Sequence, residues 1–378
     1  MILTQCAVCA TELGLSLGKK CGRCSTRYCG AACQEQHWKE GGHDTLCKKI
    51  KKAGGAEQYN ANKKYAEAVS VATEACAEDT KGQTCYICTQ ALHWKTKEGL
   101  VRGCSCRGTA GFAHVSCLAE QAKILMAEAE ENNLGAKALN ARFGRWYACS
   151  LCEQDYHGVV ACALSWACWK TYLGRPKADH IRRVALTQLG NGLSDARHHL
   201  DALSVRKTDL LMLRCLGAPE ENVLAAQGNL ASTYQSLGRF EEALSMRRDV
   251  YSGRLKLNGE EHEYTLVAAN GYALSLKQLN RFKEVKSVLR KTMPVARRVL
   301  GENHDRTLKM RTTYARALYE DPGATLDDLR EAVTTLEEPE QTARRVFGGA
   351  HPLTAGIEGT LRKARAALRA RETPSGSA

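Results

Sequence analysis

The sequence predicts a mainly α-helical protein in which two small metal-braced fingers precede an α-solenoid of paired helices. Three observations carry that expectation. Fourteen cysteines and two histidines fall into two eight-ligand arrays before residue 153. Small residues and chain breakers recur at intervals of 42 beyond residue 230. The longest apolar run, Val159 to Trp169, is eleven residues and stops at Lys170, against roughly twenty for a membrane span. At 378 residues, two or three domains are expected.

The first array runs Cys6-x2-Cys9, eleven residues, Cys21-x2-Cys24, four residues, Cys29-x3-Cys33, nine residues, His43-x3-Cys47. Zinc prefers four nitrogen or sulfur ligands in a closed tetrahedron, and a close cysteine pair offers two thiolates from one tight turn. With YCGAACQEQHW as its most specific string, the segment resembles a MYND finger. That resemblance implies one zinc on Cys6, Cys9, Cys29 and Cys33 and a second on Cys21, Cys24, His43 and Cys47. The family commonly has seven residues before its ligating histidine, and this chain has nine, with Gly41 and Gly42 as the expected insertion. His37, beside Trp38, is therefore a rival ligand, and His43 is preferred. MYND fingers bind short proline-containing peptides, which makes peptide-bearing proteins the expected partners.

The second array runs Cys85-x2-Cys88, fifteen residues, Cys104-x-Cys106, seven residues, His114-x2-Cys117, thirty-one residues, Cys149-x2-Cys152. CYIC, GCSCRGTAGFAHVSCL and WYACSLC make it similar to a RING-CH (RING-variant) finger. A PHD finger shares the ligand order, but usually spaces its second pair more widely and places it nearer the histidine. The RING-CH bracing implies Cys85, Cys88, His114 and Cys117 on one zinc and Cys104, Cys106, Cys149 and Cys152 on the other. In RING ligases a hydrophobe inside the first pair contacts the ubiquitin-conjugating enzyme, and Ile87 holds that position. Its alternative is to pack beneath its own knuckle. Gln121 stands where these fingers often have Trp, and Glu153 follows the last cysteine where many active RINGs have a basic residue. Many RING-CH ligases sit in membranes, whereas no span is expected here.

Four zinc ions in all are expected. No residue of either array is left for chemistry, since a closed tetrahedron has no open position for an activated water. Zinc also alters the reading of charge. The formal +13 counts every cysteine as neutral; filling two sites of four thiolates and two of three thiolates with one imidazole lowers it by six, to about +7. Such a surplus, spread over a long helical surface, favours solubility over a nucleic-acid footprint. The first ten residues show no signal-peptide pattern, so the eighteen cysteines are read as thiols of a reducing compartment. The expected location is cytoplasmic or nuclear; KKIKK at 48–52 is read as a solvated basic edge rather than a nuclear address.

Between the fingers, AEQYNANKKYAEAVSVATEACAED has helical spacing, with Gly54 and Gly55 as a break. The insert before Cys149 is expected to be mostly helical and Trp146 to belong to the finger core; His157 reads as a loop side chain. Cys76, Cys162, Cys168 and Cys215 are expected as small buried hydrophobes.

Beyond Val159 the repeat dominates. Ala231, Ala273 and Ala315 recur every 42 residues, as do Gly238, Asn280 and Pro322. A small residue where helices cross and a breaker where the chain reverses explain that period. NLASTYQSLGRFEEAL and GYALSLKQLNRFKEVK resemble the tetratricopeptide (TPR) repeats of kinesin light chains, which implies a peptide-binding solenoid. His262, His304 and His351 recur at equivalent turns and are expected to pack there rather than bind metal. The expected division is 1–50 MYND-type finger, 51–82 helical linker, 83–158 RING-CH-type finger, 159–371 TPR-like repeats and 372–378 flexible tail.

These features imply a zinc-binding, multivalent protein-interaction protein. Its sharper form is a RING-CH ubiquitin ligase acting by positioning, with substrates recruited by the MYND finger or the solenoid. The alternative is a non-catalytic adaptor, followed by a chromatin or nucleic-acid reader.

Overall fold

The structure is a computed structural model, and residues 5–14, 17–347 and 351–372 are described. The chain divides into two compact units, Met1–Ala218 and Pro219–Ala378. Among the described residues there are fifteen α-helices, and the only sheet is a two-stranded ribbon. All eighteen cysteines are free of disulfides.

The first unit begins with strands β1 (Lys19–Lys20) and β2 (Arg27–Tyr28), antiparallel with Lys19 opposite Tyr28. Two short helices follow, α1 (Ala31–Lys39) and α2 (His43–Lys52). None of α1 is buried, while α2 turns His43, Cys47 and Ile50 inward. The finger's remaining core is small, consisting of Leu13, Tyr28, Ala56 and the cysteines themselves, so metal bonding must supply much of its folding energy. Gly54 and Gly55, both with φ near +100° (95° and 108°), break the chain before α3 (Ala56–Ala75).

The second finger occupies residues 85–157, with α4 (Val115–Glu131) and α5 (Ala136–Phe143) inside its long insert. It does not fold around its cysteines alone. Val69 and Ala72 of α3 share a core with Leu100, Val101, Phe112 and Val115 of the finger. That core also takes Val160, Ala161 and Leu164 of α6 (Gly158–Tyr172).

Helix α6 is the apolar run read from the sequence, and all of it from Val160 to Trp169 is buried. A helix that is hydrophobic all round must be covered all round. Its second side, Cys162, Trp166 and Trp169, packs with α7 (His180–Asp195) and α8 (His199–Cys215). Gly192 permits the tight α6–α7 crossing, since a Cβ there would lie 2.1 Å from Ser165 Oγ. Trp146 departs from expectation: fully buried, it donates from Nε1 to Tyr172 Oη at 3.3 Å and belongs to this helical core rather than to the finger core. Of the four spare cysteines, Cys162 and Cys168 are buried, Cys76 is half-buried and Cys215 is exposed at the last turn of α8, so the expected burial fails for Cys215.

The described residues of the second unit form helices joined by turns: α9 (Glu220–Ser236), α10 (Phe240–Asn258), α11 (Glu263–Gln278), α12 (Phe282–Leu300), α13 (Asp305–Tyr319), α14 (Leu326–Phe347) and α15 (Pro352–Glu372). Ala231, Ala273 and Ala315 are all fully buried on the first helix of successive pairs. Gly238 and Asn280 take left-handed φ of 73° and 58° where the chain reverses. The recurring histidines have a definite task. His262 and His304 N-cap α11 and α13, their Nδ1 atoms accepting from the backbone N–H of Tyr264 (3.2 Å) and Arg306 (3.3 Å). His351 accepts from Leu353 N–H at 3.2 Å. The tail TPSGSA lies outside the described residues.

Candidate metal centres

Four turns of one design build the ligand sets. In each Cys-x2-Cys pair the residue after the second cysteine is left-handed: Ala10, Ser25, Thr89 and Glu153, with φ between 56° and 62°. Each donates its N–H to the carbonyl of the first cysteine, at 3.1, 2.9, 2.8 and 3.0 Å. The first cysteine's own N–H then donates to a carbonyl five residues on, that of Thr11, Thr26, Gln90 or Gln154. This double closure points both thiols of a pair to one place. Non-glycine residues in that region carry a steric cost, which persists only where the surroundings enforce it.

The sixteen predicted ligands fall into four groups, in each of which all ligand atoms lie within 4.8 Å of one another. They are Cys6, Cys9, Cys29, Cys33; Cys21, Cys24, His43, Cys47; Cys85, Cys88, His114, Cys117; and Cys104, Cys106, Cys149, Cys152. Zinc–sulfur bonds of about 2.3 Å and zinc–nitrogen bonds of about 2.0–2.1 Å give tetrahedral edges of roughly 3.6–3.8 Å. The separations reach these edges or fall short of them by a few tenths of an ångström. Cys21 and Cys47 Sγ are 3.8 Å apart, Cys106 and Cys149 Sγ 3.8 Å, and Cys9 and Cys29 Sγ 3.5 Å. Cys24 Sγ lies 3.4 Å from His43 Nε2, and Cys88 Sγ 3.3 Å from His114 Nδ1. The four groups fit four structural zinc ions.

The two histidines use opposite nitrogens. His114 turns Nδ1 to its thiols and Nε2 to the carbonyl of Ala91 at 3.3 Å, an outer contact that fixes the tautomer. Burial lowers its pKa, which favours the neutral ring whose lone pair a metal needs. His43 presents Nε2 from a fully buried ring. The rival His37 stays outside the group and pairs Nδ1 with Tyr28 Oη at 3.0 Å. Burial, and then neighbouring His43, lower its pKa. Gly111, with φ of 84°, closes the Cys104–Cys106 pair; a Cβ there would meet Cys106 Cβ at 2.6 Å and Cys104 Sγ at 3.2 Å.

Ile87 is half-buried and packs in part against the finger core. Its knuckle lies beside that of Leu151, because Tyr86 Oη and Ser150 Oγ are hydrogen-bonded at 3.1 Å. Leu151, 51% exposed, was not singled out from the sequence; its place between the last two ligands is the signal that marks it. Gln121 lies half-buried on α4 and Glu153 occupies the left-handed knuckle position. Between the first finger and the start of α3 a cleft of about 420 Å³ is lined by Val8, Leu46, Ile50 and Tyr59, with Arg27, His37 and Lys64 also on its walls. Among the described residues no helix is long and apolar enough to cross a membrane.

Comparison with known families agrees with this geometry. Residues 6–47 match the MYND finger, 85–133 the RING-variant domain and 222–298 the tetratricopeptide repeat. The RING-variant match covers six of that finger's eight ligands and ends before Cys149. No curated protein matches the chain. Among solved structures, the chain is similar to a kinesin-light-chain protein of nearly identical TPR-like repeats from Podosopora anserina, at 17% identity over 62% of this chain and 98% of that one, with a TM-score of 0.41. It is also similar to BtubC (BKLC) from P. vanneervenii, at 12% identity over 70% and 94% of the two chains, with a TM-score of 0.37. The chain thus carries a MYND finger, a RING-variant domain and TPR repeats in that order, and is a zinc-binding protein-interaction protein.

Proposed function

We propose that this chain is a ubiquitin ligase of the RING type, which holds a charged conjugating enzyme on its second finger and recruits substrate through the MYND finger or the TPR repeats. The observation that carries this reading is that Ile87 and the exposed Leu151 lie inside the first and last Cys pairs of the finger, on zinc knuckles tied together by the Tyr86–Ser150 hydrogen bond. Such a pair offers an apolar patch of fixed geometry to a partner's loop. The chemistry is acyl transfer between bound partners. A substrate lysine amine attacks the thioester carbonyl, the C–N bond forms, the C–S bond breaks, and the conjugating enzyme's thiol leaves as the amine loses its proton. The ligase contributes proximity and orientation. Its ligand cysteines are committed to the metal tetrahedra, so none serves as an acyl carrier. The cleft between the MYND finger and Tyr59 of α3, part apolar and part polar, suits a short peptide of a substrate or co-recruited protein.

A non-catalytic adaptor is the second reading, and Glu153 favours it, because an acidic side chain stands where an active RING commonly presents a basic one to ubiquitin. Autoubiquitylation with a panel of conjugating enzymes separates the two. The ligase reading expects chains with at least one enzyme. It also expects Ile87→Ala and Leu151→Ala each to lower their rate roughly ten-fold, about 1.4 kcal/mol of binding, at unchanged zinc content. Absence of chains with every enzyme leaves the adaptor.

A further inference from the structure

A cleft of about 760 Å³ lies in the first unit, outside both the zinc tetrahedra and the Ile87–Leu151 knuckles. One wall is α3, with Gln58, Asn62 and Tyr65; another is the first turns of α4; the third is the end of α6, with Lys170. The turn 93–97 of the second finger forms its lip. Residues 58–65 and 170 lie outside all three family matches, so this concavity is a product of how the finger is mounted on its helices.

The lip is built rather than loose. Lys97 N–H donates to His93 O at 2.9 Å, His93 N–H to Glu98 O at 3.0 Å, and Thr96 N–H to His93 Nδ1 at 3.1 Å. The His93 ring is itself buried edge-on against zinc ligand His114, at 5.3 Å between centroids. The turn nonetheless holds Trp94 out, 68% exposed. Leaving the largest apolar side chain in water on a fixed turn costs free energy that a partner would recover.

The floor is cationic. Lys170 Nζ sits 3.4 Å from the centroid of the Tyr65 ring, half out of water. Burial lowers its pKa. Among the described residues no carboxylate lies within ion-pairing distance of it. The nearest carboxylate acting on it is that of Glu98, which accepts from Ser116 N–H at 2.7 Å and Ser116 Oγ at 2.9 Å and is held back from the ammonium. At the rim Glu120 is taken by Lys123 at 3.3 Å, while Lys95 stands exposed. The Glu98 charge still acts on Lys170 from behind Ser116, but the lining itself carries Lys95, Lys123 and Lys170 against Glu120 alone, so the cleft is net positive. A partly desolvated cation gains most from an anion brought into the same environment.

We infer that this cleft binds a short acidic segment of a protein partner, with an Asp or Glu carboxylate on Lys170 and an apolar side chain against Trp94. A volume of this size takes a few peptide residues. On the wall Gln58 Nε2 donates to Asn62 Oδ1 and to Lys170 O, which leaves Gln58 Oε1 and Asn62 Nδ2 to pair with the backbone of such a segment. No arginine lines the cleft, so the planar fork that suits phosphate best is missing, and single carboxylates on single ammonium groups are the matching chemistry.

The test is selection of displayed random heptapeptides on the zinc-loaded full chain, followed by titration of the selected peptides against variants of matched zinc content and melting temperature. Enriched peptides should carry two or more Asp or Glu residues. Their affinity should fall roughly ten-fold or more for Lys170→Met and for Trp94→Ala. Lys170→Arg should retain it, and Lys95→Glu, a purely surface change, should weaken it. The proposal is overturned if the selected peptides bind all these variants as they bind the parent, if those that discriminate are neutral or basic, or if no peptide is enriched. Ubiquitylation is not read out, so the result stands apart from the ligase reading.

Discussion

Gly111 shows how much of a zinc site is decided by one residue that is not a ligand. Its left-handed φ and missing Cβ let the Cys104–Cys106 pair fold back on itself. Gly111→Ala should therefore lower zinc by about one ion per chain in elemental analysis while the MYND finger keeps its two. Asp209 makes the opposite kind of point. It is 5% exposed, Thr187 donates to its Oδ2 at 3.3 Å, and burial pushes its carboxyl up to about 6. An acid whose folded pKa is raised contributes stability below its ordinary range near 3.8, and loses that contribution as pH rises through about 6. At neutral pH the fold bears a buried carboxylate. Asp209→Asn should stabilise the chain by roughly 1–3 kcal/mol at pH 8 in denaturant unfolding and by nothing at pH 4. A variant equally stable to the parent at pH 8 would contradict this. The ligands were legible because tetrahedral zinc leaves a spacing pattern. The His43–His37 choice was the hardest, since both lie near one site, and the nine-residue gap is accommodated by Gly42 in a left-handed conformation (φ 67°) at the N-cap of α2. Asp209 was not legible, because nothing in DLLMLRC marks that carboxylate as the one turned inward.

At the scale of elements, the recurring histidines are helix caps. Each Nδ1 satisfies one of the N–H groups that a helix start leaves without a partner. His304→Ala should cost roughly 1 kcal/mol and His304→Asn much less, measured as the unfolding midpoint of the full chain. Equal losses for both would mean that the ring packs rather than caps. The 42-residue period announced the helix pairs because crossings need small residues and reversals need breakers, as at Ala273 and Asn280. Helix α6 was legible as buried from its composition. What covers it was not, because Trp146 and Tyr172 meet only after the finger's insert and α6 have folded, and no local pattern encodes that contact. The exposure of Cys215 was missed for the same reason: burial belongs to the neighbours of a residue, not to its type.

At the scale of the whole molecule, metal binding and helical packing are coupled within the first unit. Cys85, Cys117 and Cys149 lie in the same core as Val69 of α3 and Leu164 of α6. Chelation should therefore do more than loosen two loops. Circular dichroism after zinc removal should show loss of helical signal and of near-ultraviolet tryptophan signal from Trp146, Trp166 and Trp169, while one cooperative helical transition survives from residues 219–372. Unchanged near-ultraviolet spectra would show that the helices around α6 do not depend on the metal. The central claim is that sixteen side chains close four tetrahedra, and zinc stoichiometry tests it most directly. Elemental analysis of the purified chain should give about four zinc per chain, matching the four ligand groups; a value near two would contradict the account by removing one of its fingers.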